Sequence, residues 1–201
     1  MRNTFDRFNG RHQDYQAARP SYAQEFLDWL GELYAPPERY TAADIGSGTG
    51  KLSAQLLAAG FRVCGVEPNP DMRGAAEALL GGDPRFSSSN GTDHDTGLPD
   101  RSVDMVAAAQ AFHWFDGPAF ARECRRILRP GGRAVLVWNV RGSAPMNQAL
   151  AQVFREHCPS FHGFTGGMGE DDPRIRDFFG GAYEKRRFPN PLTLDRDQFL
   201  S

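Results

Sequence analysis

Residues 41–51 read T-A-A-D-I-G-S-G-T-G-K, and this stretch restricts the fold more than any other. Asp44, Gly46, Gly48 and Gly50 make the pattern D-x-G-x-G-x-G. Residues 40–45 have the length and apolar content of a short buried strand, and 51–59 carry leucines at helical spacing, so the glycines fall in a strand-to-helix loop. Glycine permits positive φ there and lets a ligand lie against bare backbone. The helix that follows opens with unpaired N–H groups and a dipole that favour an anionic or polar ligand head. The stretch therefore predicts a loop that holds a nucleotide-like cofactor.

The glycine spacing bears on which cofactor. A dinucleotide fingerprint G-x-G-x-x-G counted from Gly46 needs its third glycine at position 51, where Lys51 stands. Residues 61–66 read as a second strand, and Glu67 follows it. A carboxylate there is placed to accept both hydroxyls of a ribose, because its two oxygens match a vicinal diol. NAD-binding proteins use the same device, so loop and acid together specify an adenosine-type cofactor and leave S-adenosylmethionine and NAD both open.

Composition narrows the class. At 201 residues, 40% hydrophobic and 24% charged, the chain suits one well-buried α/β domain spanning 1–201. Net charge of -2 and a pI near 6.2 give no electrostatic case for nucleic acid as a partner. Cys64, Cys124 and Cys158 show no C-x-x-C spacing and are expected as free thiols in a reducing compartment. No signal-peptide profile precedes the domain, and no window approaches the roughly 18 apolar residues of a membrane span. No membrane association and a cytoplasmic location are expected.

Strand and helix signals alternate along the chain. Helix is predicted over 70–80, a weak strand over 85–89, a fourth strand over 103–109, an amphipathic helix over 118–128 and a fifth strand over 133–138. Pro130-Gly131-Gly132 is expected to be the turn before the fifth strand. This is the order of a doubly wound, mostly parallel sheet, whose crossovers gather the carboxyl ends of strands one, two and four along one edge. Ligands bind at that edge.

Five segments now stand in order: D-I-G-S-G-T-G-K-L-S, G-V-E-P-N-P-D-M-R, L-P-D-R-S-V-D, A-Q-A-F-H-W-F-D and E-C-R-R-I-L-R-P-G-G. Together they resemble the class I S-adenosylmethionine-dependent methyltransferases, with a Rossmann-like fold, and in particular the small-molecule subgroup of trans-aconitate methyltransferase-like proteins. The resemblance covers about 5–139. It implies a cofactor-binding core over 40–139, an N-terminal lid or helix segment over 1–35 and an acceptor-side region over 140–201. It also implies that Gly46, Ser47 and Gly48, behind Asp44, hold the methionine part of S-adenosylmethionine. Glu67 would bind the ribose, Asn69 and Met72 would neighbour the adenine, and Gln110 would lie on the cofactor side. Relatives often have G-T-A-E or G-D-A-E after the third strand; here Gly91-Thr92-Asp93-His94 departs from that. Thr92 and Asp93 are assigned to the adenine side, with the Asp93 carboxylate accepting from the exocyclic amine, and His94 is read as an exposed loop residue.

In relatives the segment before the first strand packs over the cofactor. Arg19 would then pair with the methionine carboxylate through its planar fork and Tyr15 would close the pocket. Phe26, Leu27 and Leu30 are read as core. Methyl transfer is an in-line attack on a methyl bound to cationic sulfur, so the site must bring the acceptor close, exclude water and tolerate positive charge. Phe112 and Trp114 suit that charge and are placed in the acceptor pocket with His113. His113 is the general-base candidate for a hydroxyl or phenol, and an orienting group for a carboxylate.

Other features read plainly. Arg122, Glu123, Arg125, Arg126 and Arg129 look like the solvated face of a helix. His157 and His162 flank Cys158 without a second ligand pair, so no metal site is expected. Residues 183–188 would serve as a sixth strand. A seventh is not evident, so the C-terminal strand is expected to be missing, with a homo-oligomer formed through the incomplete sheet edge. The reading is methyl transfer from S-adenosylmethionine to a small-molecule acceptor at oxygen. The alternatives are an NAD(P)-dependent oxidoreductase and a non-catalytic S-adenosylmethionine-binding protein.

Overall fold

The computed structural model describes residues 20–140, 145–158 and 168–191. Its elements are α1 (Gln24–Leu33), β1 (Thr41–Ile45), α2 (Lys51–Ala58), β2 (Arg62–Val66), α3 (Pro70–Leu80), β3 (Phe86–Ser89), β4 (Val103–Ala109), α4 (Gly117–Ile127), β5 (Leu128–Val137), α5 (Pro145–His157) and α6 (Pro173–Phe178). Short 3₁₀ turns cover Pro37–Arg39 and Phe112–Trp114. The strands form one sheet in the order β3-β2-β1-β4-β5, and every pair is parallel. The order reverses between β1 and β4, and such a switch point opens a crevice at the carboxyl ends of the strands.

β1 and β2 are buried along nearly their whole length because helices cover both faces. On one face Ile45, Val66, Val106 and Phe112 pack with Phe120 and Ile127 of α4 and Phe178 of α6. On the other, Ala42, Val63 and Met105 pack with Phe26, Leu27 and Leu30 of α1 and Leu52 and Leu56 of α2. Burying one such aliphatic or aromatic side chain contributes about 1.5–3 kcal/mol, so these two layers fix the sheet and with it the crevice.

Two expectations change. β5 begins at Leu128, before the Pro-Gly-Gly segment, because Val103 faces Leu128 and Met105 faces Arg133, so the intervening residues loop out opposite Asp104. Gly131 takes φ +83° at this bulge, and the Asp104 carboxylate holds it by accepting from Arg129 Nη1 at 2.7 Å and from the Thr41 N–H at 2.8 Å. Residues 183–188 form no sixth strand. Their charges are spent on ion pairs, Lys185 with Asp171 at 3.1 Å and Arg187 with Glu170, while Phe188 packs its ring 5.8 Å from Phe26 and 5.9 Å from Trp29. The segment thus lies along α1, and among the described residues β5 pairs with β4 alone.

Candidate cofactor and acceptor site

The three glycines sit where β1 enters α2, all at positive φ: +69° at Gly46, +56° at Gly48 and +81° at Gly50. Their reasons differ. A Cβ on Gly46 would lie 2.8 Å from the Ala111 Cβ and 3.2 Å from the Phe115 ring, and one on Gly50 would lie 2.9 Å from Leu80. Around Gly48 the space is open. Gly46 and Gly50 are therefore required by packing, and Gly48 presents bare backbone to whatever enters the crevice. The N–H groups of Gly46 and Ser47 both donate to the Val66 carbonyl, at 2.8 and 3.2 Å, which ties the loop to the end of β2.

Glu67 lies immediately beyond that tie. Its Oε2 accepts from the Gly48 N–H at 2.9 Å and its Oε1 from the Asn69 N–H at 2.9 Å, so the carboxylate is held in one orientation with lone pairs to spare. Burial raises its pKa above the ordinary carboxylate value, against the opposing effect of those two amides and of Arg73. Asn69 Oδ1 accepts from the N–H groups of Asp71 and Met72, each at 3.0 Å, and caps α3. Met72 is buried in the first turn of that helix.

Asp44 is 1% exposed. Its Oδ2 accepts from Ser53 Oγ at 2.7 Å, while Oδ1 is buried with no partner among the described residues. Burial pushes the carboxyl up to about 6, with Ser53 lowering it and Glu67 adding to the rise. A buried carboxylate oxygen without a partner, two residues before Gly46, is a place where a further donor group would be accommodated. Ser53 has no obvious signal in sequence beyond being a polar residue among Leu52, Leu56 and Leu57.

On the far side, the 92–95 loop folds on itself, the Thr92 N–H donating to the Asp95 carbonyl at 2.8 Å and the Asp95 N–H to Thr92 Oγ1 at 3.1 Å. Asp93 Oδ2 accepts from the Asp116 N–H at 3.0 Å, so this carboxylate joins the loop to the start of α4. His94 is exposed and contacts Asp93 at 3.1 Å. The loop is anchored from below by Glu123, which is buried, contrary to the solvated face expected for it. Glu123 Oε1 accepts from Thr96 N–H at 2.9 Å, Thr96 Oγ1 at 2.6 Å and Arg126 Nη2 at 2.7 Å. These bonds hold its carboxyl down to about 2 against the effect of burial.

The end of β4 completes the crevice. Gln110 adopts φ +54°, a strained conformation for a residue with a side chain. Phe112, placed in the pocket by sequence, is 2% exposed and belongs to the core, its ring 5.2 Å from Phe178 and 6.4 Å from Trp138. Trp114 is 47% exposed, and half-buried His113 lies 4.7 Å from its ring. Phe115 covers Gly46. Tyr15 and Arg19 lie outside the described residues, as do His162 and most of the 163–169 stretch. No cluster of metal-ligating residues occurs among the described residues, and no described helix is long and apolar enough to cross a membrane.

The switch-point crevice, with its glycine loop and the carboxylate at the end of β2, is the arrangement of a nucleotide-cofactor α/β domain. A family model described as a methyltransferase domain matches residues 43–136. An uncharacterised methyltransferase of Mycobacterium tuberculosis is 42% identical over 127 residues, 63% of this chain and 49% of that protein. One from Schizosaccharomyces pombe is 31% identical over 72% of this chain and 57% of its own length. The structure of a type II methyltransferase from Anaeromyxobacter dehalogenans superposes with a TM-score of 0.56 at 32% identity, covering 88% of this chain and 70% of that one. The chain belongs to this methyltransferase family, and it spans about half the length of the curated relatives it matches.

Proposed function

We propose that this domain binds S-adenosylmethionine and transfers its methyl group to a small-molecule acceptor at oxygen, a carboxylate or a hydroxyl. The observation that carries the reading is the conjunction at the switch point of an open Gly48, a pre-oriented Glu67 and the unsatisfied Asp44 Oδ1. When bound, the cofactor supplies an electrophilic methyl on a cationic sulfur. Gly46, Ser47 and Gly48 offer backbone to its methionine part, Glu67 offers two acceptor oxygens to the ribose, and the Thr92–Asp93 loop borders the adenine. Asp44 accepts from a ligand donor, which offsets the desolvation that raises its pKa.

Exposed Trp114 forms a platform for the acceptor, and Phe115 sets an aromatic face beside the glycine loop. His113 takes the acceptor proton at a ring nitrogen when the acceptor is a hydroxyl, and donates a hydrogen bond when it is a carboxylate. The test is release of S-adenosylhomocysteine across a panel of small carboxylates, phenols, amines and activated carbon acids, with wild type and His113→Ala. Turnover of a member of the panel is expected, with kcat reduced by roughly 10²–10⁴-fold in the variant if the acceptor is a hydroxyl. Binding without turnover across the panel would favour a non-catalytic role, and turnover confined to nitrogen or carbon acceptors would refute the oxygen assignment.

A further inference from the structure

Gln110 ends β4 in the left-handed region, which a residue with a side chain keeps only where neighbours impose it. Two bonds do so here. Its N–H donates to the Val137 carbonyl at 2.8 Å and its side-chain Nε2 to the Asn139 carbonyl at 3.0 Å. Asn139 is fixed in turn through its own carboxamide. Nδ2 donates to the carbonyls of Pro20 and Ser21, each at 3.3 Å, and Oδ1 accepts from Asn190 Nδ2 at 2.9 Å. Asn190 Nδ2 also donates to the Ser21 carbonyl at 2.8 Å, across 169 residues of sequence. The entry to α1, the ends of β4 and β5 and the 182–191 segment therefore meet at one side chain.

The meeting point matters for the crevice because Ala111, next after Gln110, supplies the Cβ that closes on Gly46. The geometry points to Asn139 as a positioning residue for the cofactor site: by clamping residues 20–21 and 190, its carboxamide fixes the peptide that holds Gln110, and Gln110 sets how the 111–115 turn meets the glycine loop. This inference rests on the methyltransferase reading above. The contacts of Asn139 are too distant in sequence to be read from local pattern.

The test has one arm without ligand and one with it. In the free protein, hydrogen exchange followed by NMR reads the Gln110 amide and the amides at 22–27 in wild type, Asn139→Ala, Asn139→Asp and Asn190→Ala. Aspartate keeps the acceptor for Asn190 but loses the donor to Pro20 and Ser21. Faster exchange of the Gln110 amide is expected in Asn139→Ala and Asn139→Asp, and a smaller rise in Asn190→Ala. In the second arm, titration with S-adenosylhomocysteine is expected to show affinity reduced roughly three- to ten-fold in Asn139→Ala and in Gln110→Ala, with the double variant no weaker than the worse single one. Exchange that accelerates only at 22–27, or single effects that multiply in the double variant, would overturn the inference. A wild-type protein that does not bind S-adenosylhomocysteine would refute the methyltransferase reading instead, while the ligand-free arm still decides whether Asn139 controls Gln110.

Discussion

Replacing Glu123 by glutamine removes one charge from the network under the 92–96 loop and keeps the side chain's shape. The carboxyl titrates at about 2 in the fold against an ordinary value of 4.5. At about 1.4 kcal/mol per pH unit the shift sets an upper bound of about 3 kcal/mol on what ionised Glu123 contributes. Arg126, its partner, is 37% exposed, and solvent screening trims the expected loss to about 2 kcal/mol. The folded value is depressed, so this contribution is fully present above about pH 4.5 and disappears as the pH falls towards 2. Urea unfolding of wild type and Glu123→Gln at neutral pH and in steps down to about pH 3 reads this directly, because other depressed carboxylates titrate in both proteins and cancel. The variant is expected to be less stable by about 2 kcal/mol at neutral pH, with Tm lowered by about 4–8 °C, and the gap is expected to shrink on acidification. Equal stability at neutral pH, or a gap constant with pH, would refute the assignment of Glu123 as a buried anchor.

Other predictions concern the loop and its carboxylates. Gly46→Ala meets both a positive φ and a Cβ 2.8 Å from Ala111, and is expected to lose about 2–4 kcal/mol in chemical denaturation. Gly48→Ala meets only the backbone strain, so about 1–2 kcal/mol is expected, with a much larger loss of S-adenosylhomocysteine affinity by calorimetry. Gly48→Ala as destabilising as Gly46→Ala, with affinity retained, would refute that division. Asp44 is raised from 3.8 to about 6, so its penalty is absent in acid, grows as the pH rises between those values and is full above about 6. Asp44→Asn is therefore expected to unfold at a higher temperature than wild type at neutral pH while binding S-adenosylhomocysteine more weakly; a less stable variant with unchanged affinity contradicts this.

Local pattern carried the sequence reading as far as contacts are local. The strand-to-helix glycine loop, the helix at Pro70–Leu80 and the strand at Val103–Ala109 follow from periodicity and turn residues within each segment, and all are found. Where partners come from elsewhere the reading fails. Glu123 looks like one more charge on an arginine-rich helix until Thr96, 27 residues away, is packed on it. Phe112 and Trp114 are near neighbours of one aromatic run, yet one is core and the other exposed, a division set by Phe178 of α6 arriving on one side only. The 183–188 segment has strand-like length, but Phe188 packs on α1, Tyr183 stacks on Phe179 and the basic side chains find acidic partners, which draws it away from the sheet.

The central claim is that the Gly46–Gly50 loop and Glu67 hold an adenosylated sulfur cofactor. Isothermal titration with S-adenosylhomocysteine, with NADH as control, tests it on wild type and on Glu67→Ala. Saturable binding of S-adenosylhomocysteine alone is expected, with affinity falling roughly ten- to hundred-fold in the variant as buried hydrogen bonds to the ribose are lost. Preference for NADH, or S-adenosylhomocysteine binding that Glu67→Ala leaves unchanged, would contradict it.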